Sequence, residues 1–175
     1  QIWAQKPDGI FLSNGPGDPA CETRAIATVR TLIGKVPIFG VCLGHQILAQ
    51  ALGMSTYKLK FGHRGSNQPV KMNDERIWIT AQNHGFAVVA DGNTIPLAYD
   101  KNISDASNEG IDIPNLWAFS VQFHPEGAPG PKDAEACFIK FLRLIDDWKK
   151  TIMTTRCASE HPHQESFFAE HRDHS

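Results

Sequence analysis

The sequence predicts an α/β fold: a mostly parallel central sheet flanked by helices, with antiparallel strands added to it. Three observations carry this. The apolar runs Gly9–Ser13 and Val36–Val41 each break into a glycine-marked loop and then a helical pattern. That strand–helix–strand–helix order suits a parallel sheet, because parallel neighbours need a crossover between them. Downstream, short alternating segments separated by turn residues read as hairpins or antiparallel strands.

The elements follow in order. Gly9–Ser13 is a buried strand that ends in the Gly/Pro loop Ser13-Asn14-Gly15-Pro16-Gly17-Asp18-Pro19. Ala20–Ile33 is helical, with Ala25, Ile26, Val29, Leu32 and Ile33 on one face and Gly34 as its stop. Val36–Val41 is the next strand. His45–Leu52 is a helix with Ile47, Leu48, Ala51 and Leu52 facing inward and Gly53 as its C-terminal signal. Val70–Met72, Ile77–Ala81, Phe86–Ala90 and Ile95–Tyr99 are short strands, and Leu116–Phe123 is a longer one. Asp133–Lys149 closes the domain as an amphipathic helix burying Phe138, Phe141, Leu142, Ile145 and Trp148.

One domain over 1–150 is expected, followed by a polar, loosely ordered tail over 151–175. The tail carries His161, His163, His171 and His174; His161-Pro162-His163 could bind a metal, but two histidines without further spaced ligands read better as part of the tail. Seventeen Lys+Arg against 19 Asp+Glu give a net charge of -2, which offers no electrostatic case for nucleic acid or an anionic membrane. No apolar stretch is long enough to span a bilayer, and no secretory signal is evident. The chain starts at Gln1 rather than methionine, so a cut or processed start is expected. Four scattered cysteines, Cys21, Cys42, Cys137 and Cys157, fit neither a disulfide framework nor a metal cluster. A reducing, cytoplasmic setting suits them.

The chemistry concentrates at Gly40-Val41-Cys42-Leu43-Gly44. A cysteine between glycines, after a strand and before a helix, is the thiol counterpart of the Gly-x-nucleophile-x-Gly elbow. A cysteine after an apolar strand is otherwise an inert core residue. The helix start directs free N–H groups at the sulfur, which is expected to favour thiolate. A base and an orienting group are then required. His124 and Glu126 lie two apart after the last strand, on the same side of an extended segment. His124 is the candidate base and acid, and Glu126 the group that fixes its tautomer. By itself His-Pro-Glu is also a simple turn. Oxyanion donors are expected from the N–H of Leu43 and from the Gly15-Pro16-Gly17 loop. That loop lacks the Gly-Lys-Ser/Thr of a nucleotide-binding loop. In Gln82-Asn83-His84-Gly85-Phe86, Asn83 and Gly85 can meet a polar ligand, and His84 has a structural or substrate-contact role.

These strings resemble a known family. SNGPGDP (Ser13–Pro19), GVCLGHQ (Gly40–Gln46) and HPE (His124–Glu126) are similar to the class I, triad-type glutamine amidotransferases. LKFGHRGSNQPV (Leu59–Val70), ITAQNHGFAV (Ile79–Val88) and FSVQFHPEGAPGP (Phe119–Pro131) narrow the resemblance to the small-subunit branch of carbamoyl-phosphate synthases. It runs from about Asp8 to Trp148. The resemblance implies a Cys42–His124–Glu126 triad that hydrolyses L-glutamine to glutamate and ammonia. It places glutamine contacts at Gly15, Gly17, Leu43, Gln46, Asn83, Gly85 and Phe86, with oxyanion donors on Gly15 and Leu43. It implies no metal and no cofactor in this domain. ATP and Mg would sit on a large partner subunit that combines the ammonia with bicarbonate, feeding pyrimidine and arginine synthesis. Against the family pattern, this sequence is expected to fall short of the family's N-terminal domain and of the amidotransferase domain's own first strand and helix. Gly127 and Ala128 stand where alanine and serine are usual. The competing readings are a stand-alone cysteine hydrolase of γ-glutamyl substrates and an inactive truncated scaffold.

Overall fold

The computed structural model describes residues 2–89, 98–127 and 132–160. Strands β1 (Ile10–Leu12) and β2 (Ile38–Val41) flank helix α1 (Thr23–Leu32), and helix α2 (Leu43–Ala51) follows β2 directly. A long hairpin, β3 (Thr56–Lys71) and β4 (Ile77–Val88), comes next. Then come β5 (Ala98–Asn102), β6 (Asn108–Ile113), β7 (Ala118–Val121) and the closing helix α3 (Ala136–Glu160). The seven strands form one sheet in the order β1-β2-β7-β6-β5-β3-β4. Among the described residues, only β1, β2 and β7 pair in parallel. Every other pairing is antiparallel. The parallel part is therefore smaller, and the antiparallel part larger, than the sequence pattern indicates.

Strands β2 and β7 form the core because both of their faces are covered, whereas β1, expected to be buried, stays partly open with Phe11 47 % exposed. All four residues of β2 and of β7 are buried. Phe39 stacks on Phe119 with ring centroids 4.4 Å apart. Helix α2 is buried nearly all round, which its run of Ile47, Leu48, Ala49 and Ala51 permits. Val29 and Leu32 bury the inner face of α1 against it.

Several elements depart from the expected pattern. The segment 56–69 shows no strand pattern in the sequence, since Gly62, Gly65 and Pro69 interrupt it. The structure absorbs them through irregularities in the pairing between Lys58 and His63 and between Gly65 and Gln68. Strand β6 escapes a sequence reading because it opens on Asn108 and Glu109, which are buried all the same. On α3, Leu142 is 63 % exposed and Phe138 36 % exposed, so neither of these two expected core residues joins the buried cluster. Phe141 packs inward as expected, joined by Leu144, on the same face as buried Cys137 at i+4 and i+7. Helix α3 also continues to Glu160, ten residues past the expected edge of the domain. Residues 161–175, with the histidines of the tail, lie outside the described residues, as does most of the expected strand Ile95–Tyr99.

Candidate active site

Strand β2 delivers Cys42 into a backbone conformation that side chains rarely adopt, φ 51° and ψ −103°, immediately before α2. Its N–H donates to the Val121 carbonyl at 2.9 Å, and its own carbonyl accepts the Gln46 N–H at 3.2 Å. The bend is held by its flanking glycines. A Cβ on Gly40 would lie 2.7 Å from the Gly44 carbonyl oxygen, and one on Gly44 would collide with the Leu12 carbonyl. Helix α2 can therefore approach β1 and β2 only where both side chains are absent. The strain is local to Cys42. Cys42→Gly is expected to unfold at higher urea than Cys42→Ala, by about 1 kcal/mol, since glycine tolerates positive φ and alanine does not. Chemical denaturation of the two variants measures the difference.

Cys42 lines a cavity of about 450 Å³. Gly15 and Gly17 form one wall, Gln46 the helix side, and Asn83, Gly85 and Phe86 the hairpin side. His124 lines it too. Residues separated by more than 100 positions thus meet at the ends of β1, β2 and β7, where α/β sheets place their sites. Leu43 and Glu126 do not line the cavity. Leu43 contributes its main-chain N–H beside the Cys42 sulfur. Glu126 stands behind the imidazole, its Oε1 2.8 Å from His124 Nδ1. Gly15 packs on Leu43, since a Cβ there would lie 2.8 Å from the Leu43 side chain. The two candidate oxyanion residues are therefore neighbours.

The expected thiolate is corrected. Burial pushes the Cys42 thiol up to about 11, and the Leu43 N–H that opposes this is the weaker influence. Glu126 and Glu109 push the same way as burial. At rest the sulfur is protonated, so a base must remove its proton. His124 is suited to it. With Nδ1–H donating to Glu126, its Nε2 is the bare acceptor, and that atom is buried with no hydrogen-bond partner. A cysteine, a bare imidazole nitrogen and backbone N–H groups around one cavity can carry out acyl transfer.

Pro16, in the candidate loop, lines the cavity too, and so do Asn14 and Arg64, which the sequence does not single out. Arg64 sits across the hairpin from Asn83. Only the β3–β4 register reveals that pairing, so no local signal in the sequence could have marked it. His84 lines the cavity as well. Its Nδ1 is 2.8 Å from the Phe86 carbonyl and its Nε2 3.0 Å from Gln82 Oε1, and burial lowers its pKa.

Behind His84 lies a buried polar cluster. His63, His84 and Glu109 have ligand atoms within 4.8 Å of one another, close enough to hold a metal ion. The carboxylate is already taken up by hydrogen bonds: Asn102 donates to Oε1 at 3.0 Å and Gln82 to Oε2 at 2.9 Å. His63 lies between Glu109, at 3.4 Å, and Asp105, at 2.9 Å. Those two carboxylates raise the His63 pKa to about 8 against the opposing effect of burial. The folded value exceeds the unfolded one, so this stabilisation is complete below pH 6.5 and is lost as pH rises through 8. Wild type should exceed His63→Gln in unfolding free energy by about 1–2 kcal/mol more at pH 6 than at pH 9. Urea titrations at the two pH values test this.

The sequence model of the family "Glutamine amidotransferase class-I" matches residues 1–144. The chain belongs to the class-I glutamine amidotransferases. Among relatives of this amidotransferase chain, the carbamoyl phosphate synthase small chain of Akkermansia muciniphila is 54% identical over 149 residues, covering 83% of this chain and 40% of that protein. The carbamoyl phosphate synthase pyrimidine-specific small chain of Bacillus subtilis is 48% identical over 151 residues, covering 86% of this chain and 42% of that one. The amidotransferase chain thus spans about two fifths of the length of these relatives. A Thermoplasma acidophilum protein described as a candidate GMP synthase component shares its fold with a TM-score of 0.73 at 20% identity, covering 87% of this chain and 79% of that one. A glutamine amidotransferase from Thermotoga maritima aligns with a TM-score of 0.58 at 19% identity, covering 84% and 66%. No helix among the described residues is long and apolar enough to cross a membrane.

Proposed function

We propose that this amidotransferase chain hydrolyses L-glutamine through Cys42, His124 and Glu126 and supplies the ammonia to a large ATP-dependent subunit for carbamoyl phosphate synthesis. The observation that carries the reading is the strained Cys42 facing the same cavity as the unpartnered Nε2 of His124. The small-chain names of the relatives support the choice of product.

His124 Nε2 takes the thiol proton, and the sulfur attacks the side-chain carbonyl carbon of glutamine. The oxyanion accepts the N–H groups of Leu43 and Gly15. His124 returns the proton to the nitrogen, ammonia leaves, and a γ-glutamyl thioester remains. His124 then activates water, which opens the thioester and releases glutamate. Glu126 holds Nδ1–H throughout and stabilises the imidazolium. Gln46, Asn83, Gly85, Phe86 and Gly17 bind the substrate. The Gln46 amide nitrogen is already committed to the Phe86 carbonyl and Gln122, so Oε1 is the atom it offers a ligand. The large subunit holds ATP and Mg and supplies bicarbonate activation. The setting is cytoplasmic, and the product enters pyrimidine and arginine synthesis. Neither nucleic acid nor membrane is a partner.

Treatment with a glutamine-analogue electrophile, followed by peptide mapping, tests substrate class and nucleophile together. Labelling at Cys42 that L-glutamine suppresses is the expected result. Labelling elsewhere, or labelling at Cys42 that glutamine leaves unchanged while γ-glutamyl peptides block it, would replace this reading.

A further inference from the structure

Two buried polar atoms of opposite kinds have no hydrogen-bond partner, one on His124, which lines the cavity with Cys42, and one on Gln122, which acts on the Cys42 sulfur. One is His124 Nε2, an acceptor. The other is Gln122 Nε2, a donor. Gln122 is fully buried, immediately after β7, with its main-chain N–H donating to the Glu109 carbonyl at 2.7 Å. Its neighbour Val121 accepts the Cys42 N–H, which brings the two segments together at the sulfur.

A chain of hydrogen bonds fixes which end of the Gln122 amide faces Cys42. The Phe86 carbonyl can only accept, so Gln46 must present its nitrogen there, at 2.9 Å. That same nitrogen lies 2.9 Å from Gln122 Oε1, so Gln122 must present oxygen to Gln46. Its NH₂ is thereby left on the sulfur side. It makes no full hydrogen bond at rest, yet it is close enough to the thiol to counter in part the effect of burial. A thiol sulfur is a weak acceptor, whereas a thiolate is charged and binds a donor about twice as strongly as a neutral acceptor does.

We propose that Gln122 is a further catalytic residue, whose side-chain N–H donates to the Cys42 sulfur when that sulfur becomes an anion. The S–H bond breaks, an N–H bond forms on His124 Nε2, and the electron pair left on sulfur accepts the Gln122 N–H. One proton transfer satisfies both orphaned atoms. The donor is in place beforehand, so nothing needs to reorganise as the charge develops. Gln46 and the Phe86 main chain, which border the substrate cavity, hold the donor in register. The inference rests on Cys42 being the reacting thiol of the proposed glutaminase.

The test is the pH dependence of Cys42 alkylation by iodoacetamide, followed on the Cys42 peptide in the wild-type chain and in Gln122→Met. Glu126, Glu109 and His124 remain in both proteins, so their influence on the sulfur is common. The profile of the folded variant should shift up by about one pH unit, a tenfold slower reaction near neutrality, equivalent to about 1.4 kcal/mol. An unchanged profile in folded Gln122→Met would overturn the proposal. A second measurement avoids dependence on that variant's folding. In the wild-type chain the Gln122 side-chain ¹⁵N–¹H₂ resonances should move in step with the alkylation profile, and they should stay still in Cys42→Ser. Resonances that ignore the profile would equally overturn it. Alkylation needs no glutamine, so an intact Gln122-dependent profile without glutamine turnover would defeat the glutaminase reading alone.

Discussion

Cys42→Ala is expected to reduce glutamine hydrolysis by at least about 10⁴-fold, because the members of a nucleophile–base unit act together and the remainder cannot form the thioester. The loss should be in kcat rather than in substrate affinity. Gly15, Gly17, Asn83, Gly85 and Phe86 line the cavity independently of the sulfur. Isothermal binding of L-glutamine beside an ammonia-release assay separates the two quantities. His124→Asn should be nearly as damaging, since burial holds Cys42 protonated and the unpartnered His124 Nε2 is the base the mechanism assigns to its proton. Glu126→Gln should be about 10- to 100-fold milder than His124→Asn, because the amide oxygen can still accept Nδ1–H and only the charge is lost. Full activity in Cys42→Ala would remove the elbow from the mechanism.

Gly44→Ala is expected to cost about 3 kcal/mol or more of stability. Its Cβ would strike the carbonyl of Leu12, a main-chain group that cannot rotate aside. Leu12 is pinned by the parallel pairing of β1 with β2, where it sits opposite Gly40. Either α2 lifts from the sheet or β1 shifts, and both disturb Cys42. For a domain of this size the melting temperature should fall by about 10 °C. Gly85→Ala is the matched control. No atom lies within 4 Å of a Cβ placed there, so stability should change by less than about 0.5 kcal/mol. Its methyl would still enter the cavity and weaken glutamine binding. Thermal melts of the two variants decide whether close approach, rather than glycine content, holds the elbow.

The site is legible in the sequence where chemistry and local backbone coincide. The elbow can be read because a bend of φ 51° between two close-packed glycines leaves a pattern within five residues. His124 and Glu126 can be read because their spacing alone brings carboxylate to imidazole, at 2.8 Å. The hairpin is less legible. Its strands run through glycines and a proline, and the pairing that seats Arg64 opposite Asn83 is a relation between strands, not a local pattern. Strand β6 stays hidden for a related reason. Glu109 reads as a surface residue until Asn102, Gln82 and His63 are seen to satisfy it.

The amino-acid order alone marked the first strand–helix alternation, the glycine-flanked bend at Cys42 and the close spacing of His124 and Glu126, since each is set by contacts within a few residues. The tertiary structure alone decided the ionisation of the sulfur. Desolvation depends on everything packed around an atom, and it outweighs the pull of the helix start that the local sequence encodes. The same is true of Gln122, whose waiting donor is defined by a path through Gln46 to Phe86 that crosses three separate elements.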